Sequence, residues 1–175
     1  MRLGEFAALS AMLFTVAVAS AMGGPDAPRG SGSPKTKRTK AVVDHVADGD
    51  TIKVVLGGGR EEYVRFIGID TPEVYGTPEC GGEGASAAMK RMLQPGDRVK
   101  LLRDRSQGNK DDYGRLLRYV FVKHRDLGQI QVRDGWARVY VYDEPFDRLP
   151  YYEREQDGAH EADLGVWGLC GGFES

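Results

Sequence analysis

Residues 46–56 read VADGDTIKVVL, a turn followed by a run of strand-forming residues. Asp48-Gly49 is typical of a tight turn, because glycine adopts the positive φ that such a turn requires. Residues 51–56 then favour a β-strand, since β-branched and aliphatic side chains predominate. Asp50 stands where that strand begins, although aspartate is depleted in strands. The turn accounts for Asp48 but not for Asp50, which makes Asp50 a candidate functional residue.

One further strand is predicted on each side of this stretch. Residues 41–47 alternate loosely between apolar and polar side chains, and residues 61–69 are rich in Tyr, Phe and Ile. The glycines at 57–59 predict a turn between the second and third strands. Three successive strands joined by tight turns predict an antiparallel meander.

The second half of the chain mixes helices with further strands. Apolar residues recur at helical spacing over residues 85–93, and Pro95-Gly96 ends that helix. The remaining predicted elements are strands at 99–102, 116–122 and 136–142, an amphipathic piece at 127–134 and a charged helix at 151–164. Five or so short strands with inserted helices predict a small barrel capped by helices rather than a parallel α/β sheet.

The N-terminus is predicted to direct export. Residues 6–22 form an apolar run that ends in a small-x-small pattern, so we expect a signal peptide at 1–21; an uncleaved membrane anchor is the alternative. Residues 22–40, rich in Gly, Pro and Ser with a basic end, predict a flexible linker, either a solvated spacer or an arm that attracts polyanions. The folded domain is expected at 41–170 and a tail at 171–175. The protein should therefore be secreted, or else membrane-anchored.

Composition and charge limit the possible functions. The chain has 175 residues, 41% hydrophobic and 29% charged, which is ordinary for a globular protein. Residues 41–175 carry a net charge of −6, so any site for a polyanion must be a local positive patch. Cys80 and Cys170 predict a disulfide in an exported protein, with two free thiols as the alternative, and are a poor basis for a zinc site.

Six polar residues stand at or near the ends of predicted strands: Asp50, Arg65, Asp70, Thr71, Glu73 and Arg115. Singly, each has a structural explanation, such as turn chemistry for the aspartates or surface ion pairs for the arginines. Together they supply hard oxygen ligands suited to Ca²⁺, a carboxylate that could activate water, and guanidinium groups that match phosphate oxygens. These are the components of a phosphodiester hydrolase.

Five segments resemble the staphylococcal nuclease (thermonuclease) family in order and spacing. They are VADGDTIKV, VRFIGIDTPE, GEGASAAMKRML, DDYGRLLRYVFV and GWARVYVY. The resemblance covers residues 41 to about 170. It implies an α+β fold, a five-stranded OB-fold barrel with three helices. It also implies a Ca²⁺-dependent endonuclease that hydrolyses single-stranded DNA and RNA and leaves 3′-phosphates.

The resemblance also implies roles for individual residues. Asp50 and Asp70 look like the Ca²⁺ carboxylate ligands, and Thr71 looks like the ligand that contributes its backbone carbonyl. Glu73 looks like the residue that orients or deprotonates the attacking water. The remaining roles are phosphate binding by Arg65 and Arg115, and lining of the nucleotide pocket by Tyr113, Tyr140 and Tyr142. Tyrosines at alternate strand positions could instead simply pack together on one face.

One segment departs from the family pattern. Residues 73–85 form a shorter loop than in the family and contain no Lys or Arg, so we expect fewer phosphate contacts there and a flatter salt dependence of binding. Cys80 lies in this loop, and a bond to Cys170 would tether it. The alternatives to an active nuclease are a catalytically silent OB-fold that binds nucleic acid, and a Ca²⁺-binding structural domain, for which no EF-hand spacing is present. A monomer is expected.

Overall fold

The computed structural model describes residues 38–173. The predicted signal peptide and residues 22–37 of the predicted linker lie outside the described residues, as do 174 and 175 of the tail. Within the described residues, the fold consists of a β-barrel and the helices packed on it. The five barrel strands are β1 (Arg38–Val46), β2 (Thr51–Leu56), β3 (Glu61–Phe66), β5 (Arg98–Leu102) and β6 (Leu116–Val122).

The barrel closes through one parallel pairing. The sheet order is β3-β2-β1-β5-β6, with antiparallel neighbours, and β3 pairs in parallel with β6. A register irregularity between Val43 and His45 interrupts the pairing of β1 with β2. Closure of this kind removes the free sheet edges. The predicted five-stranded barrel of the OB-fold type is confirmed.

The first strand begins earlier than the predicted domain. Arg38 pairs with Leu102 and Lys40 with Lys100, so residues 38–40 belong to the sheet and not to the linker. The strand thus begins three residues before the predicted boundary at 41, because Arg, Thr and Lys resemble linker composition while β5 provides their backbone partners. β2 and β6 have the predicted bounds, 51–56 and 116–122.

Short elements extend the barrel. β4 (Ile69–Asp70) pairs with β8 (Arg138–Val139), and β7 (Arg125–Asp126) pairs with the end of β6. The predicted strands at 61–69 and 136–142 were therefore too long. The turn at Ile67-Gly68 divides the first of them, since Gly68 has a φ of 79° and a side chain there would collide with Phe146. The second is short because β4 offers a partner only two residues long.

Four α-helices complete the part of the chain that the structure describes. They are α1 (Gly82–Met92), α2 (Leu127–Arg133), α3 (Leu149–Glu161) and α4 (Val166–Cys170). The three predicted helices are present, and the five-residue α4 is additional. Within residues 38–173, no helix is long and apolar enough to cross a membrane.

The core lies inside the barrel and beneath the helices. Ile52, Val54 and Val64 fill the barrel interior with no measurable exposure, while Met89 of α1 and Tyr152 of α3 are equally buried. Burial of this kind stabilises the fold by about 25 cal/mol for each Å² of apolar surface. The rigid barrel then fixes the strand ends from which the candidate site residues project.

A buried carboxylate, that of Asp104, lies two residues beyond the end of β5. Asp104 accepts hydrogen bonds from the Tyr119 hydroxyl, from the backbone N–H of Asp147 and from Ser106. Burial alone would raise the pKa of Asp104, but these hydrogen bonds outweigh it and hold the pKa below its ordinary value of 3.8. Burial raises the pKa of Tyr119, and its hydrogen bond to the charged Asp104 raises it further. The ionised form of Asp104 is thus the stable form in the folded protein.

Candidate active site

Arg65 brings two distant aspartates together. It lies in β3 directly opposite Thr51 of β2, so its guanidinium reaches the start of β2. Its Nη2 lies 3.1 Å from Asp50 Oδ2 and 3.0 Å from Asp70 Oδ1, while Nη1 donates to the backbone carbonyl of Ile69 at 2.7 Å. The two carboxylates therefore converge on one positively charged group.

Asp50 is buried where β2 begins. Its Oδ2 accepts hydrogen bonds from both the backbone N–H and the hydroxyl of Thr71, each at 3.1 Å, and its Oδ1 accepts from the Thr51 hydroxyl at 3.0 Å. The pKa of Asp50 is raised on balance, because the effect of burial exceeds the lowering by the positive charge of Arg65. These contacts explain why an aspartate opens a strand: its side chain points to the turn at Asp70-Thr71 rather than to solvent.

Asp70 has a second arginine partner that the sequence did not predict. Arg138 of β8 lies directly opposite Asp70 of β4, and its Nε and Nη2 contact Asp70 Oδ2 at 3.2 and 3.0 Å. Arg138 stands in the GWARVYVY segment, where the sequence resemblance implies a role for Tyr140 and Tyr142 but none for Arg138. Its role becomes visible only with the strand register, which the sequence alone did not provide.

Glu73 is exposed and lies in the same electrostatic neighbourhood. Partial burial raises its pKa, and the negative charges of Asp50, Asp70 and Glu79 raise it further. The loop around it is closed by two hydrogen bonds: the Glu73 N–H donates to the Glu79 carboxylate at 3.0 Å, and the Glu79 N–H donates to the Glu73 carbonyl at 2.9 Å. Glu79 therefore fixes the backbone on which Glu73 is carried.

A disulfide tethers this loop to the C-terminal helix. Cys80 follows Glu79 directly and is bonded to Cys170, the last residue of α4, with a Cα–Cα distance of 5.9 Å. The predicted Cys80–Cys170 disulfide is confirmed, and the alternative of two free thiols is wrong. Gly82 strengthens the constraint, because its backbone lies so close to the Glu73 carbonyl that a Cβ would approach the oxygen to 2.4 Å.

Arg115 reaches the site from the start of β6, the strand that pairs in parallel with β3. It precedes β6, and its Nε donates to Asp111 at 2.6 Å while its Nη1 lies 3.4 Å from the Thr51 hydroxyl. Since that hydroxyl also donates to Asp50, a continuous series of polar contacts joins Arg115 to the aspartates. Polar contacts thus join five of the six predicted residues, and the sixth, Glu73, lies near enough for the charges of Asp50 and Asp70 to raise its pKa.

The three tyrosines are exposed beside Arg115. Tyr113 is 86% exposed with the Arg115 guanidinium 5.3 Å from its ring centre, and Tyr142 is 74% exposed with its hydroxyl 3.2 Å from Asp112. The ring centres of Tyr140 and Tyr142 are 6.4 Å apart. Packing in the core does not explain these rings, because they face solvent. Their assignment to a nucleotide pocket stays a prediction.

The donor set suits a hard cation. Asp50 and Asp70 offer carboxylate oxygens that already converge on a positive group, and negative charge accumulates around them because Glu73 is near. Oxygen ligands of this kind are those that Ca²⁺ prefers. Within residues 38–173, no group of three or more His, Cys, Asp or Glu side chains is arranged closely enough to hold a metal unaided. A cation here would therefore need backbone oxygen or water in addition to the two aspartates.

Comparison with known families identifies the chain. The family model described as staphylococcal nuclease homologue matches residues 63–168, which include most of β3, all of β6 and the helices α1, α2 and α3. The chain belongs to the staphylococcal nuclease family.

Several curated relatives support this membership. The thermonuclease of Staphylococcus intermedius is 35% identical over 146 residues, which cover 81% of this chain and 84% of the relative. Endonuclease YncB of Bacillus subtilis (strain 168) is 33% identical over 150 residues, covering 81% of this chain and 69% of the relative. The SPbeta prophage-derived endonuclease YokF of the same strain is 34% identical over 134 residues, 74% of this chain but only 44% of the relative. Family membership supports nuclease activity, with nucleic acid as substrate.

Proposed function

We propose that this chain is a secreted, Ca²⁺-dependent endonuclease. It hydrolyses phosphodiester bonds in DNA and RNA, prefers single strands and leaves 3′-phosphates. The observation that carries the proposal is the convergence of Asp50 and Asp70 on the Arg65 guanidinium at 3.1 and 3.0 Å. Carboxylates from separate strand ends meet there with a group able to bind phosphate, as a phosphodiester hydrolase requires.

Asp50, Asp70 and the backbone carbonyl of Thr71 would hold the Ca²⁺. Bound there, the ion would neutralise phosphate charge and polarise the scissile phosphodiester. Asp50 and Asp70 are preorganised for this task by Thr71 and Arg138, which fix their carboxylates through hydrogen bonds. Little rotamer freedom then remains to be lost on binding.

Arg65 and Arg115 would bind the phosphate. A planar guanidinium donates two parallel hydrogen bonds to phosphate oxygens and stabilises the negative charge that grows as water attacks phosphorus. Both side chains are held in place on the protein side. Arg65 donates to the Ile69 carbonyl and Arg115 to Asp111.

Glu73 would orient the attacking water and accept its proton. Its pKa is raised by partial burial and by the neighbouring carboxylates, which makes it a stronger base than an ordinary glutamate. Tyr113, Tyr140 and Tyr142 would stack on bases, and bases are free to stack only where the strand is unpaired. This explains a preference for single strands.

Export is proposed from two features. Residues 1–21 have the character of a signal peptide, and the Cys80–Cys170 disulfide is of a kind that forms and persists in oxidising compartments. Mass spectrometry of the protein recovered from the culture medium should find a chain that begins at Met22. Recovery of the full-length chain from membranes would instead support the anchored alternative.

The proposed activity is tested with residues 22–175 and denatured DNA, native DNA and RNA, each with Ca²⁺ and with a chelator. We expect cleavage that requires Ca²⁺, is faster on denatured than on native DNA, and yields 3′ ends that a phosphatase can dephosphorylate. Asp50→Ala should raise the Ca²⁺ concentration needed for half-maximal rate as well as lower the rate. Asp44→Ala, which removes an exposed aspartate of β1, is the matched control.

Two outcomes would count against the proposal. Binding of DNA without cleavage at saturating Ca²⁺ would favour the silent OB-fold. An unchanged Ca²⁺ requirement in Asp50→Ala would remove Asp50 from the ligand set.

A further inference from the structure

A groove on the barrel wall lies outside the proposed active site. It has a volume of about 290 Å³ and runs between β3, β6 and the loop that precedes β6. Its charged and amide side chains are Arg60, Glu62, Asn109, Lys110 and Arg118. Three cations face a single carboxylate there, on a domain whose net charge over residues 41–175 is −6.

Arg118 gives the groove a fixed positive charge. Its Nη2 donates to the Asn109 amide oxygen at 2.8 Å, and its Nη1 donates to the backbone carbonyls of Asn109 and Leu117. Burial lowers the pKa of Arg118, and repulsion from the nearby Arg103 lowers it further. An anion bound beside Arg118 would offset this repulsion between the two guanidinium groups.

The groove and the active site share one loop. Residues 109 and 110 line the groove, while Asp111 of the same loop accepts the hydrogen bond from Arg115 at 2.6 Å. A backbone bridge between Lys110 and Leu116 holds the two ends of the loop together. A strand bound at Arg115 therefore has to cross only this loop to reach Lys110 and Arg118.

We propose that this groove binds the phosphate backbone of a nucleic-acid strand that extends from the active site. The inference rests on the proposed function for the identity of the substrate. Arginine matches phosphate oxygens in pairs, and a polyanion needs a local positive patch on a domain of this net charge. The groove would supply phosphate contacts that the loop at 73–85, without Lys or Arg, does not provide.

Glu62 limits the attraction of the groove. Its carboxylate lies 2.9 Å from Lys110 Nζ and 3.4 Å from Arg60 Nε, so it partly neutralises both cations. A phosphate that enters the groove has to compete with Glu62 for these groups. Removing the carboxylate charge should therefore strengthen binding, a gain that misfolding could not produce.

The test measures binding of an oligothymidylate of about 20 nucleotides by fluorescence anisotropy, between about 50 and 200 mM NaCl. A chelator prevents cleavage, so the result does not depend on catalysis. Each phosphate contact with a single strand contributes about 0.7 to the slope of log K against log salt. Arg60→Gln combined with Arg118→Gln should flatten the slope by about 1.4, and Glu62→Gln should steepen it by about 0.7 or more.

The control is Lys123→Gln combined with Arg125→Gln. These residues are exposed at the opposite end of β6 and change the net charge by the same amount, yet the slope should stay that of the parent protein. Equal flattening in the control and groove variants would overturn the proposal, as would an unchanged slope in Glu62→Gln. If the parent protein binds the oligonucleotide but does not cleave it with Ca²⁺, the proposed activity fails while the groove remains tested by binding.

Discussion

Removing the disulfide should lower both the stability and the turnover of the enzyme. The variant is Cys80→Ser combined with Cys170→Ser, which deletes a bond between residues 90 positions apart. Constraining a loop of that length in the unfolded chain stabilises the folded state by about 4.6 kcal/mol in the chain-entropy model. With an unfolding entropy of about 2.1 cal/mol/K per residue over about 140 residues, Tm should fall by about 15 °C.

Turnover should fall for a separate reason. Cys80 is the next residue after Glu79, whose hydrogen bonds fix the backbone of Glu73. Without the tether the loop is held by these two hydrogen bonds, by the bond from the Tyr75 hydroxyl to the Ala47 carbonyl at 3.3 Å and by local packing. Displacement of a catalytic group by about 1 Å can cost on the order of 100-fold in rate. We expect kcat to fall by about tenfold or more, with little change in KM, because Arg65 and Arg115 lie outside the loop.

The measurements are thermal unfolding by circular dichroism and steady-state cleavage at a temperature well below the lower Tm. The parent protein in a strong reductant serves as the control and should resemble the double variant. A fall in Tm of less than about 3 °C would refute the loop-closure argument. An unchanged kcat would show that Glu73 is positioned without the disulfide.

Three further changes test other parts of the structure. Arg65→Lys keeps the charge but loses the planar pair of donors, so kcat on denatured DNA should fall by about 100-fold, and near-normal turnover would make Arg65 only structural. Gly82→Ala should displace the Glu73 carbonyl and lower kcat, whereas Gly158→Ala, at an open helical position, should raise stability by about 0.5–1 kcal/mol and leave kcat unchanged. Equal kcat values for the two glycine variants would contradict the close approach at Gly82. Asp104→Asn should cost about 1–3 kcal/mol near neutral pH, measured by urea unfolding. Because the folded pKa of Asp104 is lowered, its contribution is present above the ordinary pKa and is lost as pH falls through the folded pKa. The difference between variant and parent should therefore shrink as pH falls below the ordinary value of 3.8. A difference that does not depend on pH would refute that pKa shift.

The sequence predicted what depends on local chemistry. Asp50 stood out because its residue type conflicts with the strand around it, and such conflicts concentrate at functional sites. The polar residues at strand ends followed from the same reasoning, since a closed barrel brings its strand ends around one opening. The structure brings Asp50, Arg65, Asp70 and Thr71 into contact and joins Arg115 to them through Thr51. Glu73 lies near enough for the charges of Asp50 and Asp70 to raise its pKa, although the catalytic roles of all these residues stay predictions.

What the sequence did not predict depends on register and on distant partners. Arg138 is an unremarkable strand residue until β8 is paired with β4, which sets it opposite Asp70. Residues 38–40 resemble linker until β5 provides their hydrogen-bond partners. The groove at Arg118 needs the parallel pairing of β3 with β6, which periodicity does not reveal. In each case the missing information is a contact between residues far apart in the chain.

The charges around the proposed site are arranged asymmetrically. On one side the loop at 73–85 carries Glu73, Glu79 and Glu83 without a compensating Lys or Arg, and the disulfide holds it in place. On the other side Arg115 leads across its loop to the cations of the groove. A bound strand would be repelled from the first side and attracted to the cations of the second. The path of the substrate should then run from Arg115 to the groove past Asp111, whose charge Arg115 offsets at 2.6 Å. A tethered acidic loop and a basic groove are then two parts of one arrangement that sets the direction in which the strand leaves the site.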